Sequence, residues 1–155
     1  MTTPESKVFI SGNLEGLCCS EKNVLELIEL LIAAEPSLEN QLKSTHVNLT
    51  FITKNEIKEL NSKFLNKDQP TNVLSFPSAA LDFDERLLGD IAICPEIISN
   101  EADDQNKDRQ NHLFHIILHS LLHLVGYDHQ EDSSAEKMES IEIEALKKLG
   151  IANPY

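Results

Sequence analysis

The stretch His119-Ser-Leu-Leu-His123-Leu-Val-Gly126-Tyr-Asp-His129 constrains this chain more than any other part of it. Leu113, Ile116, Ile117, Leu121 and Leu124 repeat at helical spacing, which predicts a helix from about Asp108 to Val125 with one apolar face in a core. On that helix His119 and His123 share a face, about 6 Å apart along the axis. Gly126 offers the positive φ at which a helix stops and the chain turns back. His129 follows three residues later, so the turn returns a third imidazole toward the first two. Three neutral imidazoles with one open position describe a catalytic zinc site, one ion per chain, whereas structural zinc sites are closed by a fourth protein ligand. The expected fold is therefore built around a buried helix that keeps its histidine stripe accessible.

The spacing matches the zinc-protease signature H-E-x-x-H-x-x-G-x-x-H at each ligand and at the glycine. It departs at position 120, which is Ser instead of the catalytic glutamate. A serine hydroxyl does not take a proton from zinc-bound water near neutral pH, so the metal cage stands without the protease's base. A zinc metalloprotease-like hydrolase remains the alternative on ligand spacing alone. His115 extends the stripe four residues earlier, but a 115/119 pair has no third ligand delivered by a turn. We read His115 as a neighbour of the ligands or a wall of the cleft, and His112 and His46 as ordinary histidines.

A chain of 155 residues, 41% hydrophobic and 25% charged, predicts one soluble globular domain over 1–155. The N-terminus lacks the apolar stretch of a secretory signal, and Glu26 and Glu29 interrupt the apolar run from Val24 to Ala34, so no membrane span is expected. Three cysteines, Cys18, Cys19 and Cys94, make no disulfide framework and suit a reducing cytoplasm. Cys94 reads as a small buried apolar residue. The net charge of −13 argues against generic nucleic-acid binding. Its distribution is uneven, however. Residues 54–68 hold four lysines against three acids, while 128–144 hold seven acids against Lys137 alone. Any RNA has to lie over the lysine-rich segment, although a solvated helix face accounts for those lysines equally well.

Apolar patterning predicts strands over Lys7–Ser11, His46–Thr53, Val73–Phe76 and Gly89–Cys94. Helices are expected over 21–34 behind Ser20, after the capping box Thr53-Lys-Asn-Glu56, over 96–101 behind Pro95, over 108–125, and after a second box, Ser133-Ser-Ala-Glu136. Residues 78–88 read as an acidic loop. This is an α+β domain with one sheet of four strands and four or five helices.

Three segments, Pro70-Thr-Asn-Val-Leu-Ser-Phe-Pro77, Leu88-Gly-Asp-Ile-Ala-Ile-Cys-Pro-Glu96 and the stretch closing Gly126-Tyr-Asp-His129, resemble the bacterial YbeY family. The likeness runs from about residue 46 to Gly150 and includes the acidic last helix around Met138, Glu139 and Glu142. It implies a mixed sheet of about four strands packed with helices around the metal helix, and zinc on His119, His123 and His129. It further implies a single-strand-specific endoribonuclease of the cytoplasm acting in small-subunit rRNA 3′-end maturation and ribosome quality control. The small subunit or its assembly factors are then its partners. Ser120 stands where the family usually has glycine. Leu65 stands where the family commonly has an arginine that meets substrate phosphate, and leucine offers neither charge nor donor. Lys63 and Lys67 are the nearest replacements, as point charges. Asn72 and Ser75 serve either as polar substrate contacts or as turn and cap residues. The proton acceptor is left open among His115, Asp128, a substrate phosphate oxygen and no group on the protein at all. The loss at Leu65 also admits a non-catalytic ribosome-assembly factor with a structural zinc.

Overall fold

Two apolar periods build the architecture. His46–Phe51 alternates, with Val47, Leu49 and Phe51 buried, which is the period of a strand with one face in a core. Arg109–Leu124 instead repeats at helical spacing and buries ten of its sixteen residues. The computed structural model describes residues 6–78, 86–127 and 132–155, with the backbone alone at 132–133. In chain order these form β1 (Lys7–Gly12), α1 (Glu21–Ala34), a 3-10 turn (Pro36–Leu38), α2 (Glu39–Leu42), β2 (His46–Phe51) and α3 (Lys54–Leu65). They continue with β3 (Val73–Pro77), β4 (Leu87–Ile93), α4 (Pro95–Asp104), α5 (Arg109–Leu124) and α6 (Asp132–Lys148).

The strands form one mixed sheet in the order β1-β2-β4-β3, with β1–β2 and β2–β4 parallel and β3–β4 antiparallel. Its two faces differ in depth. On one, Val8, Val47, Leu49, Phe51, Ile91 and Ile93 enter a large core shared with α1, α4, α5 and α6. On the other, Leu74, Ala92 and Cys94 meet Ile57 of α3, with Leu60 and Phe76 packed alongside. Toward the β1 edge that second face is wet: Phe9 is half exposed and Asn48 donates to Asp90 across the β2–β4 pair at 2.8 Å. Burial of Cys94 agrees with its reading as a small apolar residue.

Helix starts follow side-chain caps. Thr53 and Glu56 form the predicted capping box ahead of α3, Ser20 and Asn23 form one ahead of α1, and Asp108 caps α5 by accepting from the Asn111 amide at 2.9 Å. Helix α5 packs against β3, β4, α1, α4 and α6, which holds one stripe of its surface in place on several sides.

The described residues carry six α-helices, where the patterning predicted four or five. The addition is the four-residue α2, continued from the turn that Pro36 opens, and a single turn is too short to show a period. Strand β4 begins at Leu87, two residues before Gly89, because Leu87 pairs with His46 and the Leu88 carbonyl accepts from Ser78 N at 3.0 Å. Helix α4 runs on to Asp104, and α6 already includes Asp132, so Ser133 lies inside that helix instead of ahead of it. Residues 79–85 of the predicted acidic loop fall outside the described residues. No described helix is long and apolar enough to cross a membrane.

Candidate metal centre

The end of α5 builds the first half of the site. Helix geometry stops at Leu124, and Gly126 takes φ +105°. Tyr127 N then donates to the Leu122 carbonyl at 3.1 Å and Gly126 N to the His123 carbonyl at 3.0 Å, the paired bonds of a glycine C-cap. That bend carries the Tyr127 carbonyl back over the helix end, where it accepts from His123 Nδ1 at 3.0 Å. Helix α6 supplies the matching restraint one turn earlier: Glu142 Oε1 accepts from His119 Nδ1 at 2.5 Å. With both Nδ1 atoms donating, both Nε2 atoms present lone pairs, and these lie 3.0 Å apart. Two lone pairs so placed repel unless a cation or proton lies against both.

The donor set fits a divalent metal. Nitrogens bonded about 2.05 Å from one tetrahedral ion stand about 3.3 Å apart, close to the separation found here. Imidazole ligands also carry an acceptor on the far ring nitrogen, which fixes tautomer and ring plane, and Glu142 and the Tyr127 carbonyl occupy those places. A second grouping is present: ligand atoms of His115, His119 and Glu142 lie within 4.8 Å of one another, so this trio too has the spacing to hold a metal.

Glu142 is fully buried, yet charged. Burial pushes its pKa up, but the neighbouring His115 imidazole and the hydrogen bonds from His119 and Tyr155 outweigh that and hold it at about 2. Tyr155 Oη donates to Oε2, and His115 Nε2 stands 3.6 Å from the same oxygen. Burial and the Glu142 carboxylate push the Tyr155 phenol well above its ordinary range, which keeps it a donor. One turn earlier on α5, His112 Nε2 meets Glu101 Oε1 at 3.0 Å, and Asn72 Nδ2 donates to the same carboxylate at 3.1 Å. Burial raises the Glu101 pKa, but these two partners bring it below its ordinary value.

The structure thus brings His119 and His123 together as predicted from spacing, with His115 beside them, nine-tenths buried between Glu142 and Tyr155. His129 and Asp128 lie outside the described residues. Ser120 is fully buried and donates to the Ile116 carbonyl at 2.8 Å, so its hydroxyl is committed to the helix backbone. Lys63 and Lys67 are exposed at the end of α3, where Lys63 Nζ lies 5.3 Å from the Phe64 ring centre. Asn72 is engaged by Glu101 at the start of β3. Ser75 lies on the same face of β3 as Val73, the face that meets the large core and α5. Leu65 is half exposed beside the lysines.

Glu142 and Tyr155 are the site neighbours that spacing did not single out. For Glu142 a signal exists: Met138, Ile141, Ala145 and Leu146 mark the inward stripe of α6, and an acid on that stripe needs a buried partner. Tyr155 follows the last helix and carries no periodic signal.

The sequence model of the family described as Endoribonuclease YbeY matches residues 13–150. A protein of that name from Francisella tularensis subsp. novicida (strain U112) is 46% identical over 122 residues, spanning 76% of this chain and 75% of its own. Another so named, from Francisella tularensis subsp. tularensis (strain WY96-3418), is 45% identical over 122 residues with the same coverage of 76% and 75%. The solution structure of the Thermotoga maritima protein TM1509 superposes with a TM-score of 0.57 at 31% identity, covering 92% of this chain and 91% of that one. With a family match across most of its length, and relatives that carry the same name at this identity, the chain belongs to the endoribonuclease YbeY family.

Proposed function

We infer that the chain is a metal-dependent endoribonuclease of ribosomal-RNA processing, cutting single-stranded RNA in small-subunit rRNA 3′-end maturation and ribosome quality control. Family membership carries the RNA cleavage. The observation that carries the metal is the approach of two Nε2 atoms to 3.0 Å while both Nδ1 atoms are held by acceptors. In this reading the whole chain is one hydrolase domain of the cytoplasm, zinc is the ion, one per chain, and His119, His123 and His129 hold it. Bound zinc supplies a Lewis acid and an activated water near neutral pH. Glu142 and the Tyr127 carbonyl orient the two ligand rings. His115, enclosed by Glu142 and Tyr155, shapes the wall. Lys63 and Lys67 meet backbone phosphates, and Ser75 offers a polar contact from β3. The small ribosomal subunit or its assembly factors present the RNA.

The His115–His119–Glu142 grouping favours a second placement of the metal. Full burial of Glu142, with one oxygen already taken by Tyr155, leaves no open corner for water there, and catalytic sites keep one. A protease reading finds no support at Ser120, which lies in the core.

Elemental analysis of His115→Ala and His123→Ala, paired with single-turnover cleavage of a small-subunit rRNA precursor, tests the assignment. The expected result is about one zinc per chain in wild type and His115→Ala, and loss of both metal and cleavage in His123→Ala. Metal retained in His123→Ala but lost in His115→Ala moves the ion to the other grouping. Binding of pre-ribosomes without RNA cutting by wild type leaves an assembly factor with a structural zinc.

A further inference from the structure

The segment beyond α6 reaches back over the histidine stripe. Ile151 packs against the large core, Lys107 Nζ donates to the Pro154 carbonyl at 3.0 Å, and Tyr155 N donates to Asn153 Oδ1 at 2.9 Å. These contacts deliver the phenol of a half-exposed tyrosine onto a carboxylate that has no exposed surface. The Tyr155 ring also meets His115 edge-on, with ring centres 5.5 Å apart and planes at 87°.

A buried carboxylate offers about four acceptor positions and has no water to fill them. His119 Nδ1 takes a position on Oε1 and Tyr155 Oη one on Oε2. The terminal torsion of a glutamate is soft, so one bond at one oxygen leaves the group free to swing, and a donor at each oxygen pins its plane. The plane of the carboxylate in turn sets the plane of the imidazole that donates to it.

We propose that Tyr155 is a positioning residue for the metal site: its phenol locks the Glu142 carboxylate, and through it the His119 ring, so that His119 Nε2 keeps its approach to His123 Nε2. The proposal rests on His119 and His123 being metal ligands. It assigns to residues beyond the last helix a part in the chemistry of α5, through a relay of phenol, carboxylate and imidazole. Packing alone is the competing account, because the ring also covers His115. Tyr155→Phe separates the two, since it keeps the ring and its edge contact and removes only the hydroxyl, with its bond to Glu142 and its 3.4 Å contact to His115 Nε2.

The test measures Co2+ and Zn2+ affinity by chelator competition and records the visible spectrum of the Co2+ form. The proteins compared are wild type, Tyr155→Phe, Glu142→Gln, the double variant and His123→Ala. Tyr155→Phe should bind metal about tenfold more weakly and alter the Co2+ bands, with its thermal midpoint within a few degrees of wild type. In the double variant the two losses should fall short of multiplying, as expected for residues in one relay. Loss of metal in His123→Ala together with wild-type affinity and spectrum in Tyr155→Phe overturns the proposal alone. Metal held as tightly by His123→Ala as by wild type overturns the ligand assignment, and the proposal with it.

Discussion

Helices α5 and α3 both pack on β3, from opposite faces of the sheet, and they are made to different standards of order. Helix α5 buries ten of its sixteen residues, and His112, His119 and His123 each have a ring nitrogen held by a partner outside the stripe: Glu101, Glu142 and the Tyr127 carbonyl. Helix α3 buries only Ile57 and Asn61 of its twelve. Its charges form loose exposed pairs, Lys54 with Glu96 at 3.6 Å and Lys58 with Asp68 at 3.9 Å, and such pairs add little stability. Phe64 and Leu65 stay half exposed at its end. Convergence of imidazoles on one ion demands fixed rings, because tenths of an ångström decide ligation. Contact with a sugar–phosphate backbone of varied shape needs charge in the right region and little more.

That contrast can be broken from either side. The largest effect is expected on α5, where His123→Ala should lower RNA cleavage by about a thousandfold or more relative to wild type under single-turnover conditions, since the ion contributes several kcal/mol to the transition state. Next is Ser120→Glu, which places a carboxylate at a fully enclosed position and removes a bond to the Ile116 carbonyl. It should cost about 3 kcal/mol or more in denaturant unfolding and yield no peptidase. A stable variant with chelator-sensitive peptidase activity would show that position 120 faces the cleft.

A third effect concerns acid. Glu142 is held at about 2, against an ordinary value of 4.5, by its imidazole and phenol donors. Its folded pKa is depressed, so its contribution to stability is fully present above about pH 4.5 and is lost as pH falls toward 2. In metal-free protein, Glu142→Gln should flatten stability across that window, and an unchanged acid transition would refute the charged state of this group. The smallest effects are expected on α3. Lys63→Ala or Lys67→Ala should weaken RNA binding a few-fold and reduce the slope of log affinity on log salt by about 0.7 each, with the cleavage step unchanged. Leu65→Arg should move that slope by a similar amount the other way.

Much of this was legible in the sequence wherever one segment sets its own geometry. The Thr53–Glu56 box, the Ser20 cap, the alternation of His46–Phe51 and the glycine bend after α5 depend on neighbours a few residues away. The pairing of His119 with His123 follows from helix pitch alone. What stayed hidden depends on chain folded back from afar. Glu142 reaches His119 across 23 positions, Tyr155 reaches His115 across 40, and no local period marks either meeting. Asn72 and His112, one expected to touch substrate or a turn and the other read as ordinary, share the Glu101 carboxylate, a link that joins β3, α4 and α5. The extra helix α2 escaped because it is a single turn.

Gly126 gives this division of labour a practical meaning. A Cβ there meets nothing within 4 Å, so space is no obstacle, yet φ +105° is a conformation that other residues resist. The bend it permits aims the Tyr127 carbonyl at His123 Nδ1, and so decides which nitrogen of that ring carries the proton. A larger residue would therefore unsettle a protonation state by way of a backbone angle. At this one position a folding assay and a titration followed by nuclear magnetic resonance of the imidazoles should report the same lesion.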